Sequence, residues 1–389
     1  MKKYLTVLAA FVVMLCIGSV YAWSIVAAEL MTGYGFSGAQ SQTIFGTLIA
    51  VFPVAMIFVG RLAERWSPRF LGVVSGVLFF SAYFLAGASG GNFWLTWLGV
   101  GVLGGMATGF GYWVALTIPV QWFPEKKGLI TGIAAAGFGL GAVFMSEWAA
   151  LVLDSGRNVL QLLSLVGVVY GALIALFSLL ISPQAKIVRG DKLSVRQFIR
   201  SGYFLRFFSG IFLGTFAGLL IIGSLKLIGE EGGISSATLV HSVALFAVAN
   251  FLGRLTWGAL SDHWSASLNV FMALLLQGVA IAALNFLELT DGLYLVLSVL
   301  IGFGFGSNFV LFAKASATVF GVANLGLVYP YVFLGYAIAG IAGPFSGGYL
   351  YDLSGNFSAA IYLAALMSLA GSLLFLISYI RKKRRQAAS

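Results

Sequence analysis

Residues 60–65 read Gly-Arg-Leu-Ala-Glu-Arg, and residues 258–263 read Gly-Ala-Leu-Ser-Asp-His. Both follow one pattern: Gly-x-Leu, then a small residue, an acid and a base. The first copy closes the second long apolar stretch of the chain, and the second copy closes the eighth. A pattern that returns after six apolar stretches points to two halves of six helices. That duplication is the plan of many membrane carriers, which bind their cargo near the midplane where the halves meet.

Composition carries the same reading outward. The 389 residues are 60% hydrophobic and 9% charged, where a soluble domain has roughly 25% charged residues. At about 20 apolar residues per crossing, the length accommodates twelve helices. The 50 glycines suit helices that approach closely in lipid. Spans are expected at about 4–30, 40–64, 70–88, 95–122, 127–152 and 159–182. After a charged stretch they resume at about 203–228, 236–260, 267–288, 293–319, 325–350 and 357–380. The expected fold is all-α and integral to the membrane, with twelve transmembrane helices in two six-helix bundles, 1–182 and 201–380. A linker, 183–200, joins them, and a basic tail, 381–389, follows. Met1 to Ala22 has the outline of a secretory signal. Its apolar run outlasts the about 7–15 residues of a cleaved one and more spans follow, so it is expected to stay as the first helix.

The net charge of +10 is sorted by side. With a cytoplasmic N-terminus, all 22 lysines and arginines except Arg157, Lys226, Arg254 and Lys314 fall in segments on the cytoplasmic side. The positive-inside rule therefore places both termini in the cytoplasm and the protein in the inner (cytoplasmic) membrane. The run Arg381-Lys382-Lys383-Arg384-Arg385 reads as an anchor facing anionic membrane lipids, not as a nucleic-acid patch. Cys16, His241 and His263 are too few to build a disulfide or a metal site. No Gly-x-x-x-x-Gly-Lys-Ser/Thr loop is present, which argues against ATP hydrolysis. No cofactor or enzymatic motif is indicated, and a monomer is expected.

The stretch Gly60-Arg61-Leu62-Ala63-Glu64-Arg65-Trp66-Ser67-Pro68-Arg69 resembles the loop signature of the major facilitator superfamily, with Glu for Asp and Ser-Pro for a later Gly. Two further segments resemble the oxalate/formate antiporter family, a near relative of the monocarboxylate transporters. One is Tyr21-Ala22-Trp23-Ser24. The other is Trp122-Phe123-Pro124-Glu125-Lys126-Lys127-Gly128-Leu129-Ile130-Thr131-Gly132, with Gly137-Phe138-Gly139 beyond it. The resemblance implies carboxylate transport through an alternating-access cavity. It also implies a cytoplasmic latch involving Gly60, Glu64, Arg65 and, in the second half, Asp262.

Arg254 is the residue expected to carry the chemistry. It lies eight residues before Asp262, about 12 Å into the membrane from the helix end. A guanidinium at that depth costs about 2.5–3.5 kcal/mol on insertion scales, so it should face a cavity or a partner. Its planar fork matches a carboxylate with two parallel hydrogen bonds. Asn250 shares its face one turn earlier. The structural alternative, a buried ion pair, has only Glu147 as an intramembrane acid to supply it. Related carboxylate transporters hold an arginine at the position of Arg254, and many monocarboxylate transporters hold an Asp where this chain has Asn250. Lys314, about six residues from the end of the tenth helix, reads either as a snorkelling anchor or as a second cavity cation. Tyr21, Tyr112, Phe309, Phe333 and Tyr336 are candidate aromatic walls. His241 is 180° from Asn250 on the helical wheel and is expected to have no part in the site.

The expected function is secondary active transport of a small organic anion. A monocarboxylate of the lactate, pyruvate or formate type is favoured, moved by proton symport or by anion exchange. The stretch Leu327 to Tyr349 carries no charge, which disfavours a dicarboxylate (oxalate-type) exchanger. A drug/proton antiporter would need a mid-membrane acid, and a non-transporting sensor would need a soluble signalling domain.

Overall fold

The structure, a computed structural model, describes residues 2–184 and 193–387. Linker residues Lys186, Arg189, Asp191 and Lys192 lie outside the described residues, as do the last two residues of the tail and the side chains of Lys382 and Arg385. The described chain is helical with no strand, and twelve helices are long and apolar enough to cross a membrane. They are α1 (Lys2–Tyr34), α2 (Gln40–Leu62), α3 (Pro68–Gly87), α4 (Phe93–Val120), α5 (Lys127–Asp154) and α6 (Val159–Leu180). After a short helix at Val195–Ile199 come α7 (Gly202–Glu231), α8 (Ser236–His263), α9 (Ala266–Phe286), α10 (Asp291–Val319), α11 (Val322–Ser354) and α12 (Ser358–Arg381). Every expected span is present, with ends shifted by a few residues.

Polar caps set many of those ends. Ser37 accepts from the Gln40 amide at 3.1 Å while the Gln40 side chain accepts from the Ser37 amide at 2.9 Å, a reciprocal box that starts the second crossing. Asn158 and Gln161 repeat the device before α6. Ser67, Asn92, Ser201, Ser235, Ser265 and Thr290 cap other starts with one side-chain acceptor each. The first turn of a helix has amides without intrahelical partners, and these oxygens satisfy them. α1 is interrupted by a 3₁₀ stretch, Gly18–Ala22, and α4 by a π-helical stretch, Trp97–Leu103. Gly18 lies where a Cβ would collide with the Phe138 carbonyl, so the irregular part of α1 lies directly against the α5 backbone.

The chain forms two compact units. One holds most of the first six spans and also takes Val322–Tyr331, the start of α11. The other holds most of the second six and also takes Glu125–Gly132, the start of α5. A division at the linker alone does not contain this exchange. Its chemistry centres on the two motif glycines. A Cβ on Gly60 would lie 2.5 Å from the Gly326 carbonyl, and one on Gly258 would lie 2.6 Å from the Gly128 carbonyl. Each copy of the motif needs glycine because the backbone of an exchanged segment rests on it. Trp113 secures the first contact by donating to the Gly326 carbonyl at 2.7 Å.

Within the second unit, Gly210, Gly214 and Gly218 of α7 form a groove that receives Phe312, Asn308 and Phe305 of α10. α10 also packs backbone-on-backbone against α8. A Cβ on Gly302 would lie 2.5 Å from the Phe246 carbonyl, whereas one on Gly223 would find its nearest neighbour at 3.9 Å. Gly302→Ala is therefore expected to lower the unfolding free energy of the detergent-purified protein by about 1–3 kcal/mol through overpacking. Gly223→Ala should leave it unchanged, and equal losses in the two variants would contradict the packing assigned to α8 and α10.

Candidate substrate-binding site

α8 is anchored at its start. Asp291 accepts from the Ser235 amide at 3.1 Å and from the Ser235 hydroxyl at 2.7 Å, and that hydroxyl in turn caps α8. The side chains of Asn250 and Arg254, one turn apart, then fall on one face. Arg254 Nε donates to Asn250 Oδ1 at 3.0 Å. The guanidinium carbon lies 4.2 Å from the centre of the Phe309 ring. A ring face at that range attracts a desolvated cation by about 2 kcal/mol. Phe309 is itself boxed by Phe305 at 5.3 Å, Tyr336 at 5.3 Å and Phe333 at 6.2 Å, all edge to face. Phe333 stacks on Tyr336 at 4.9 Å.

Arg254 is 0% exposed, and among the described residues it is the one charged side chain that is buried. No carboxylate among the described residues is buried with it. Glu147, the acid that the ion-pair alternative required, is exposed in the other unit. The backbone of Arg254 is also in use. Gly132 of α5 rests against its carbonyl, where a Cβ would come within 2.6 Å. The structure thus groups Arg254, Asn250, Phe309, Phe333 and Tyr336 in the second unit.

Tyr21 and Tyr112 belong to the first unit and meet a common ring. Tyr112, fully buried, lies edge-on to Phe138 at 5.4 Å and to Phe52 at 5.0 Å, and Tyr21 lies edge-on to Phe138 at 5.2 Å. Phe138 holds this cluster together and was not among the expected site residues. Its place between Gly137 and Gly139 was the available signal. His241 is exposed near the start of α8.

Lys314 lies on α10 five residues beyond Phe309, toward the end of the helix. Its Nζ donates to the carbonyl of Ser261 in the last turn of α8. Asp262, the next residue, accepts from the amides of Gly128 at 2.8 Å and Leu129 at 2.9 Å, at the start of α5. Those amides are missing from any sequence-based expectation, because backbone donors leave no mark in a sequence. Glu64 and Arg65, the corresponding residues of the first copy, are exposed in the turn after α2, and Arg61 donates to the Tyr331 hydroxyl at 3.3 Å.

The sequence pattern of the Major Facilitator Superfamily matches residues 6–329 and, in a second alignment, 207–389. The chain belongs to the major facilitator superfamily. It is a multi-pass membrane transporter, not an enzyme. The oxalate:formate antiporter of Oxalobacter formigenes is 24% identical over 393 residues, covering 94% of this chain and 89% of that protein. Monocarboxylate transporter 13 of Bos taurus is 25% identical over 381 residues, covering 95% and 87%. Among solved structures, FucP of E. coli in the outward conformation superposes with a TM-score of 0.72 at 15% identity, covering 97% of this chain and 99% of that one. These matches bear out the resemblance drawn from the motifs and the twelve-helix fold of this superfamily.

The Arg254–Phe309 contact makes a measurable claim. In a double-mutant cycle of Arg254→Met and Phe309→Leu, unfolding free energies should show a coupling of about 2 kcal/mol. Additive losses would mean that the ring does not stabilise the cation.

Proposed function

We propose that this superfamily member carries a small monocarboxylate, of the lactate, pyruvate or formate type, and that Arg254 binds its carboxylate. The observation that carries the proposal is a fully buried guanidinium, deep in a membrane span, grouped with an amide and an aromatic box. A membrane interior tolerates a cation chiefly where it serves a pathway or a ligand. Asn250 accepts from one edge of the guanidinium and contributes no charge of its own. Phe309, Phe333 and Tyr336 supply an apolar wall suited to a short carbon chain and poorly suited to a second carboxylate.

The relatives named an oxalate:formate antiporter and a monocarboxylate transporter support a carboxylate cargo. The choice of monocarboxylate over dicarboxylate rests on this chain's own charges. The second cation a dicarboxylate would need is absent from Leu327 to Tyr349, and Lys314 is engaged at the end of α8. In the proposed cycle the site alternates between the two sides of the membrane. The distribution of basic residues supports cytoplasmic termini for this cycle. Asp262 at the α5 start and Gly60 at the α11 start are the contacts proposed to form the cytoplasmic latch. Glu64 and Arg65 flank the latter.

Proteoliposomes offered lactate, formate, oxalate and a neutral sugar test the proposal. Uptake of the monocarboxylates is expected, and Arg254→Ala should lower it by about 100-fold or more, the effect of losing a buried charge-assisted pair. Arg254→Lys should recover only part of that loss, because an ammonium lacks the two-pronged geometry. Wild-type uptake by Arg254→Ala protein that elutes as a folded species would remove the central assignment. Uptake driven by an imposed pH gradient marks symport, and dependence on an internal counter-anion marks exchange.

A further inference from the structure

α5 is a helix held from both ends of the molecule's division. Its first residues pack with the second unit and the rest with the first. At its start the backbone amides of Gly128 and Leu129, which no turn of helix can satisfy, donate to the two oxygens of Asp262. A carboxylate there gains both from the hydrogen bonds and from the positive end of the helix dipole. The fit is close. A Cβ on Gly128 would collide with the Gly258 carbonyl and the Ser261 hydroxyl, so α5 starts against the bare backbone of α8.

Asp262 sits on the last turn of α8, the part of a helix most prone to fray, since its carbonyls lack intrahelical donors. One of those carbonyls, that of Ser261, takes the ammonium of Lys314 from α10. Ser261 is fully buried and its own hydroxyl donates to the Gly258 carbonyl at 2.8 Å. Lys314 is half-buried. A lysine that merely snorkelled would direct its ammonium to lipid headgroups, and a cavity cation would stand beside Arg254. This one closes the C-terminal end of α8 directly next to the carboxylate that grips α5.

We propose that Lys314 is a positioning residue of the transport cycle: it fixes the end of α8 so that Asp262 holds the start of α5, and it takes no part in binding the cargo. The assignment rests on the transport reading above, in which the end of α8 and the start of α5 part once per cycle. Lys314 sets how easily they part.

The test uses the full-length protein in liposomes without substrate. Cys16, fully buried in α1, is replaced by Ala, and Thr131→Cys is introduced at a position 1% exposed at the start of α5. The rate at which a maleimide labels that thiol reports release of the grip. Lys314→Gln is expected to raise the rate about 10-fold, the scale of one lost hydrogen bond to a charged group. Asp262→Asn should do likewise, and the double variant should add little, because the lysine acts through the aspartate. Lys314→Arg should restore slow labelling. Equilibrium affinity for lactate should stay within about twofold in Lys314→Gln, as expected of a residue that does not touch the cargo. Unchanged labelling overturns the proposal, and unchanged labelling with lost affinity would make Lys314 a binding cation. The labelling is read without cargo, so it stands even if Arg254→Ala shows the carboxylate assignment to be wrong.

Discussion

The close contact between the backbones of α8 and α10 is the constraint on which the rest of the second unit depends. Lipid tails offer helices no hydrophobic gain from association, so closeness must come from packing. Here glycines supply it. Gly302 and Gly306 of α10 rest on the carbonyls of Phe246 and Asn250, and Gly253 of α8 rests on that of Phe303. At that separation a side chain leaving α8 at position 254 meets the ring at position 309. Taking a guanidinium out of water costs several kcal/mol. The ring face and the Asn250 amide offset part of that cost. The glycine contacts therefore set the position of Arg254 against the Phe309 ring.

The two copies of the motif show how one physical demand can be met by unequal chemistry. Both keep their glycine, because in each the carbonyl of an exchanged segment occupies the space of a side chain. They differ in what holds that segment. In the first copy the indole of Trp113 donates to Gly326, while Glu64 and Arg65 stay exposed. In the second the acid itself reaches the start of α5, and a lysine from α10 steadies its helix.

Much of this was legible in the sequence. Twelve apolar runs gave twelve spans because lipid forces backbone groups to pair within each crossing. The one-turn spacing of Asn250 and Arg254 dictated their contact, and the three-residue spacing of Phe333 and Tyr336 dictated their stacking. What stayed hidden depends on contacts between residues far apart in the chain. Lys314 was readable as two things because its depth was visible and its partner, a backbone carbonyl of another helix, was not. The meeting of Tyr21 and Tyr112 on Phe138 was hidden likewise, since 15% aromatic residues supply too many rings for spacing to choose among them. The exchange of the α5 and α11 starts has no periodic signature at all.

The charge distribution then limits the cargo the proposed site could prefer. A single buried guanidinium balances one negative charge. A second negative charge on the same ligand would face Phe309, Phe333 and Tyr336, whose rings offer faces and one phenol rather than a cation. The desolvation of that second carboxylate would go uncompensated, and a buried ion without a counter-charge is the most costly element in such an interior. Asn250 matters here for what it is not. An aspartate at that position would neutralise Arg254 from within and turn the site into an internal ion pair, leaving the cargo's proton as the only charge to settle. A neutral amide at that position adds no counter-charge. On the proposed reading, access switches around a site that stays at mid-membrane, and an anion on Arg254 offsets part of the cost of a desolvated guanidinium while it does so, which favours switching with cargo in place.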